Sequence, residues 1–307
     1  MPSMAQPRTL AVFTKNRVNP AYAAARLATD RVAAEAGART IHYVPETPDD
    51  VGQQKALVGV ALANRPHAVV FVPTDDGAMA EDVRRFEVAG IPVVNCINRM
   101  EGRFVSFVGS DDVAVGYTAA RALIDGLGGK GDIVVIDGSP GAPTARDRAV
   151  GLRRALDEQP AIRVLGSGTG AFQEQPARLA MARLLAQHPH IDGVWTGNDL
   201  MAFGALDALA EAGRRALVVG INGLPGAIEL IEQGTMLASV DFSAFNIAAI
   251  AARAALRHLG GEQVPVQIMI PAVLIDRTNF GAWQVPFAAR PLMAWEDVVG
   301  GCNIVDK

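Results

Sequence analysis

Two doubly wound α/β lobes, each built on a parallel sheet, are the fold class this sequence predicts. Three observations carry the prediction. Short apolar runs alternate with longer amphipathic ones; the alternation is completed twice along the chain; and 307 residues favour two domains over one.

The first apolar run, TLAVF, leads into AYAAARLATDRVAAEAG, an alanine-rich helix that ends on Gly37, a residue suited to a left-handed stop. RTIHYV, HAVVFV, IPVVNC and RFVSFV continue the first unit. Each is short, apolar and mostly bounded by Gly, Pro, Asp or Asn, as expected of strands covered on both faces. The second unit starts near Gly131 with DIVVID and runs through RVLGSG, DGVWT and ALVVGI to MLASVD, with helices such as PARLAMARLLAQH between them. A last helix over roughly 244–260 and a strand-pair region, QIMIPAVLID, follow. The tail, GAWQVPFAARPLMAWEDVVGGCNIVDK, has no helical period and reads as an extended segment packed across one lobe.

Composition excludes several classes. Half the residues are hydrophobic, a fifth are charged and the net charge is −4, with no basic block to track a nucleic-acid backbone. Cys96 and Cys302 belong to no CxxC or Cys/His set, and nothing in their spacing argues for a disulfide. The five histidines are scattered, so no metal site is expected. There is no GxGxxG after a strand, no P-loop and no GxSxG elbow. Neither catalysis nor a cofactor is expected. No run of about 20 apolar residues occurs. The start, MPSMAQPRTL, lacks a charged region followed by an apolar one, so any leader peptide is expected to have been removed.

Parallel sheets bind ligands at the carboxyl ends of their strands. In the first unit those junctions hold Lys15, Asn19 and Tyr22, then Thr74 and Asp75, Asn98 and Arg99, and Ser110 and Asp111. In the second they hold Thr144, Arg146 and Arg148, Phe172 and Gln173, Asn198 and Asp199, Asn222, and finally Asp241 and Phe242. Amides donate and accept, arginine offers a rigid fork of donors, and aromatic rings stack on the C–H face of a sugar. Each residue has a plainer reading. Asn and Asp after strands often cap helices, as expected for Asp111 and Asp199, and Tyr22 or Phe172 could be core. Recurrence at one structural place sets the group apart.

The NPAY start, IPVV…NR, VGSDDVAVGYTAA, TARDRAVGLRRAL, VWTGNDLMAFGAL and VVGINGLPGAIELI, in this order, resemble the periplasmic sugar-binding proteins of the ribose-binding type over roughly residues 8–275. The resemblance implies the type I periplasmic binding protein fold, with lobes of 1–110 plus 243–274 and 111–242 plus 275–307. Three hinge crossings are implied, near 109–112, 240–244 and 272–278. It carries first-lobe contacts onto Asn19, Tyr22, Asn98 and Arg99, second-lobe contacts onto Arg148, Phe172, Asn198 and Asn222, and a hinge position near Asp241 and Phe242. The chain departs from the pattern where Asn98 and Asn222 replace the usual carboxylates, and Lys15 joins Arg99 and Arg148. Fewer acids with the same cations point to a ligand bearing a carboxylate or another strong acceptor. A neutral sugar or polyol, with Asp241 or Asp75 as compensating acid, is the competing reading. The function implied is the solute-binding component of an ABC importer. It would be a periplasmic monomer that closes on a sugar, polyol or sugar acid and presents it to a membrane permease. The effector domain of a sugar-responsive regulator or sensor is the alternative; it lacks a helix-turn-helix here, with only about seven residues before the first strand.

Overall fold

The structure, a computed structural model, describes residues 7–299. In chain order its elements begin β1 Thr9–Phe13, α1 Pro20–Glu35, β2 Arg39–Tyr43, α2 Val51–Ala63, β3 Ala68–Phe71, α3 Ala80–Val88, β4 Val93–Cys96 and β5 Ser106–Gly109. They continue with α4 Asp112–Gly126, β6 Gly131–Asp137, α5 Pro143–Asp157, β7 Ile162–Thr169, α6 Glu174–Gln187, β8 Gly193–Thr196, α7 Asp199–Glu211, β9 Leu217–Ile221, α8 Pro225–Gln233 and β10 Ala238–Asp241. Then come α9 Ala244–Leu259, β11 Gln267–Met269, β12 Val273–Ile275, a 3-10 turn at Phe280–Trp283, and α10 Trp295–Val299.

The chain forms two compact units. The first takes the residues up to Ser110, Ala244–Ile270 and the chain from Phe287; the second takes Asp111–Ser243 and Pro271–Pro286. The first unit holds a six-stranded sheet in the order β11-β5-β4-β3-β1-β2, parallel throughout. Side chains alternate across it. Ala11, Phe13, Val69, Phe71 and Val93 pack with Val58 and Ala61 of α2 and Met79, Val83 and Phe86 of α3. Phe13 anchors that face, stacked on Tyr43 at 4.9 Å between ring centres and flanked by Phe71 and Phe86; burying such a ring is worth roughly 1.5–3 kcal/mol. Helices α1 and α9, packed on each other and on the sheet, cover the opposite face. Helix α9 is mostly buried alanine and isoleucine, which lets it sit close to its neighbours.

The second unit repeats the plan in the order β12-β10-β9-β8-β6-β7. Val134, Ile136, Val194 and Val218 pack on α6, α7 and α8, and α4 with α5 lies on the other face. Both sheets are thus doubly wound, and the strand assignments read from the sequence hold to within a few residues at each end.

Three features differ from expectation. The QIMIPAVLID region is not a strand pair: β11 joins the first sheet, parallel to β5, and β12 joins the second, antiparallel to β10. The chain passes between units at Ser110/Asp111, Ser243/Ala244 and Ile270/Pro271, the last just ahead of the expected window, and a fourth crossing at Pro286/Phe287 adds to the three. The tail is therefore divided, where the sequence assigns all of it to the second lobe. Residues 271–286 lie on the second unit, whereas residues 287–299 pack on the first. There Phe287 stacks on Phe245, and Arg31 donates to the carbonyls of Phe287, Ala288 and Arg290. Cys96 is a buried free thiol, and Cys302 lies outside the described residues.

Candidate binding site at the carboxyl ends of the strands

Backbone strain gathers at the rims. Seven non-glycine residues among those described have positive φ, and Ile97, Ala171, Phe172, Asn222 and Ser243 lie within three residues past the ends of β4, β7, β9 and β10. Each such conformation costs on the order of 1–3 kcal/mol and persists only where the surrounding structure fixes the backbone.

In the first unit the chain leaves β1 through Lys15 and Asn16, both buried. Asn16 accepts from the Asn19 amide at 2.9 Å and donates to Asp49 at 2.8 Å. Asn19 caps α1: its Oδ1 accepts from Ala21 N at 2.9 Å, and Pro20 fills the first helical position. Tyr22 stands half-buried in the first turn. After β3, Gln54 accepts from both the amide and the hydroxyl of Thr74. After β4, Asn95 ties the loop together by donating to the carbonyls of Phe71 and Asn98 and accepting from Met100 N. That loop holds Asn98 at 2 % exposure. Arg99 is exposed, its guanidinium 4.2 Å above the Phe107 ring. Arg17 and Asp111 take their plainer roles, the first exposed and the second capping α4.

In the second unit Arg148 is 3 % exposed. It donates to Asp112 at 2.9 Å and to the Gly197 carbonyl at 2.8 Å, and lies 5.1 Å above the Phe242 ring. Asp112 is largely buried beside it, its side chain 12 % exposed; burial pushes its carboxyl up and Arg148 pulls it back. Asp137, at the end of β6, is likewise raised by burial and opposed by the Gly138 amide and Arg148. The Phe172 ring lies flat against Gly138, where a Cβ would come within 2.1 Å of it, so only glycine admits the ring. Asn198 caps α7, accepting from Met201 N at 2.9 Å and donating to the Phe172 carbonyl at 3.2 Å. Both ends of its amide serve the fold.

Asp199 is fully buried behind the β9 and β10 junctions. It accepts from Leu224 N at 2.8 Å and from Ser239 Oγ at 2.7 Å, and Ser239 Oγ accepts in turn from Gly223 N. Burial, partly opposed by those bonds, raises its carboxyl to about 7. This cluster holds the turn bearing Asn222, which is 7 % exposed with φ 140°. The Asn222 amide donates to Val240 O, and its buried Oδ1 meets no donor among the described residues. Beside it, Asp241 accepts from Ser243 N at 2.6 Å and from Trp283 Nε1 at 2.8 Å. Phe242 is buried at 5 % exposure.

The charge balance differs from the sequence expectation. The acid that answers Arg148 is Asp112, not Asp241 or Asp75; Asp75 instead accepts from Ala78 N within its own turn. With Arg99 exposed over a ring, two of the three cations do not call for an anionic ligand. No group of three or more His, Cys, Asp or Glu able to hold a metal occurs among the described residues. None of their helices is long and apolar enough to cross a membrane.

Two parallel sheets with strained, amide-rich carboxyl rims define the architecture, and residues 10–263 match the family described as periplasmic binding protein domain. The chain belongs to this family. Among its relatives is the ribose import binding protein RbsB of Bacillus subtilis, 29 % identical over 266 residues, which are 86 % of this chain and 85 % of the relative. A periplasmic solute-binding protein of an ABC transporter from Actinobacillus succinogenes, solved with D-allose, superposes with a TM-score of 0.86 at 27 % identity, covering 90 % of this chain and 99 % of the other. A solute-binding protein from Bacillus halodurans with bound myo-inositol gives 0.83 at 25 % identity, covering 90 % and 97 %. The family is one of binding proteins rather than enzymes.

Several supporting residues escape sequence reasoning. Asn95 carries a signal in hindsight, as a polar side chain inside a buried apolar strand. Asp112 and Asp137 carry little, because an acid at a helix start or a strand end is ordinary there. Trp283 carries none, since its tail has no periodicity.

Proposed function

We propose that this chain is the solute-binding component of an ABC importer and that its ligand is a neutral monosaccharide or polyol. The ligand would take hydrogen bonds from Lys15, Asn19, Tyr22, Asn98 and Arg99 on one rim. On the other it would meet Arg148, Phe172, Asn222, Asp241 and Phe242, with Asn198 holding Phe172 in place. The observation that carries this reading is Asn222. Its buried amide oxygen sits on a strained backbone and meets no donor among the described residues, and a ligand hydroxyl is a donor of the right kind. Arg148 supports neutrality, because its charge is already answered by Asp112. The family and the sugar- and polyol-bound neighbours support the class of solute. Delivery to a membrane permease, a periplasmic location, a monomeric state and the lack of catalysis belong to the same proposal.

A thermal-shift panel of D-ribose, D-allose, xylitol, myo-inositol and a hexuronic acid tests it. At least one neutral member should raise the melting temperature strongly, since ligand at 100 times Kd adds about 2.7 kcal/mol. Asn222→Ala should lose most of that shift. A shift from the uronic acid alone would overturn the neutral reading, and no shift from any member would overturn the sugar-binding one.

A further inference from the structure

The segment after β12 does more than end the second sheet. Asp276 and Asn279 lock a turn in which Asp276 Oδ1 accepts from Thr278 N and Thr278 Oγ, and Asn279 accepts from Asp276 N and donates to the Leu274 carbonyl. The 3-10 turn Phe280–Trp283 follows, with both aromatic rings packed against the core shared by α6, α7 and α8. On that support Trp283 directs its indole N–H at Asp241 Oδ2, 2.8 Å away. The other carboxylate oxygen is held by Ser243 N, from a residue at φ 64°. The Asp241 side chain also lies against the turn of Asn222. A Cβ on Gly223, which has φ +63°, would come within 2.9 Å of Asp241 Cβ. Trp283 itself falls outside the matched family residues, 10–263.

We propose that Trp283 is a positioning residue for ligand recognition: its indole N–H fixes the plane of the Asp241 carboxylate beside Asn222 and so sets which hydroxyl pattern the second rim accepts. This rests on the sugar-binding reading above. The chemistry is suited to the role. Indole nitrogen is a donor only, so it can orient a carboxylate without competing for its partners as an acceptor. A bond to a charged acceptor is also shorter and stronger than one between neutral groups. Asp241 would then present its oxygens to ligand hydroxyls from a frame held on two sides, in place of a rotatable side chain at a strand end.

The test is a double-mutant cycle on the full chain with Trp283→Phe, which keeps an aromatic ring but removes the donor, and Asp241→Asn. Affinities are measured by titration calorimetry for D-ribose, D-allose, xylitol and myo-inositol. Trp283→Phe should weaken the neutral ligands by about tenfold, the order of one charge-assisted hydrogen bond, and should do so unequally, changing the ratio between the best two. Adding Trp283→Phe to Asp241→Asn should cost little beyond Asp241→Asn alone. Unchanged affinities and ratios in Trp283→Phe would overturn the proposal. So would additive losses, or a lowered melting temperature with affinity intact, which would make the tryptophan a staple for the tail. Absence of binding by the wild type would instead reject the sugar reading on which it rests.

Discussion

Asp199 shows how far a rim depends on a side chain that lies behind it. Its carboxyl, ordinarily at 3.8, is raised to about 7, chiefly by burial. The fold therefore favours the protonated form. That contribution is complete below about pH 3.8, declines as the pH rises and is gone above about 7. Asp199→Asn mimics the neutral carboxyl, since an amide can accept from Leu224 N and donate to Ser239 Oγ. The variant should lie within about 1 kcal/mol of the wild type at pH 5 and be the more stable of the two at pH 8. Urea midpoints from pH 5 to 8 check this, and parallel slopes would contradict it. At this scale the sequence was legible in kind rather than in detail. The junction residues were identifiable because α/β sheets bind at strand ends. Whether Asn198 serves a helix or a ligand depends on where Met201 N and the Phe172 carbonyl lie, which no local pattern encodes. The acid that neutralises Arg148 stands 36 residues away in sequence, and only packing brings them together.

At the scale of elements, α4 and α5 make the closest approach that bears on the site. A Cβ on Gly116 would fall 2.1 Å from the Arg148 carbonyl, and one on Gly151 would fall 2.0 Å from the Val113 carbonyl. The two backbones touch because both positions lack side chains, and the Arg148–Asp112 pair bridges the same two helices. Gly116→Ala should force the helices apart and destabilise the protein by roughly 1–3 kcal/mol, despite alanine's higher helix propensity. It should also weaken ligand binding through Arg148. Denaturant unfolding alongside sugar titration checks both effects; a stabilised variant with intact binding would show that the contact is slack. The strands were the most legible elements, because short β-branched runs between turn residues have few other folds open to them. The β11–β12 region was misread as a pair for a local reason. Its two three-residue strands are only three residues apart in sequence, and only long-range register shows that they serve different sheets.

For the whole molecule, residues 287–299 of the tail pack over the first unit, and loss of the tail is a direct test of that attachment. Besides the Phe245 stack and the Arg31 bonds, Trp295 is buried to 7 % exposure under the Arg257 guanidinium, 4.9 Å from its ring centre. A chain ending at Pro286 should melt several degrees lower, since uncovering one or two aromatic contacts costs roughly 2–5 kcal/mol. Scanning calorimetry checks this, and an unchanged melting profile would show the segment to be an ornament. Two lobes and their approximate borders could be read from the repeated alternation, but the divided tail could not, because without a hydrophobic period it carries no indication of which surface it covers. The interleaving of the units also bears on how the chain is made. The ribosome releases the first 110 residues long before Ala244–Leu259 exists, yet that helix covers one face of β3, β4 and β5. Until then the nascent first sheet exposes valines such as Val70, Val94 and Val108 on the face that the helix later covers. The order of synthesis thus leaves the earliest-made half to finish folding last, and makes its bare sheet face the stretch on which a chaperone would act.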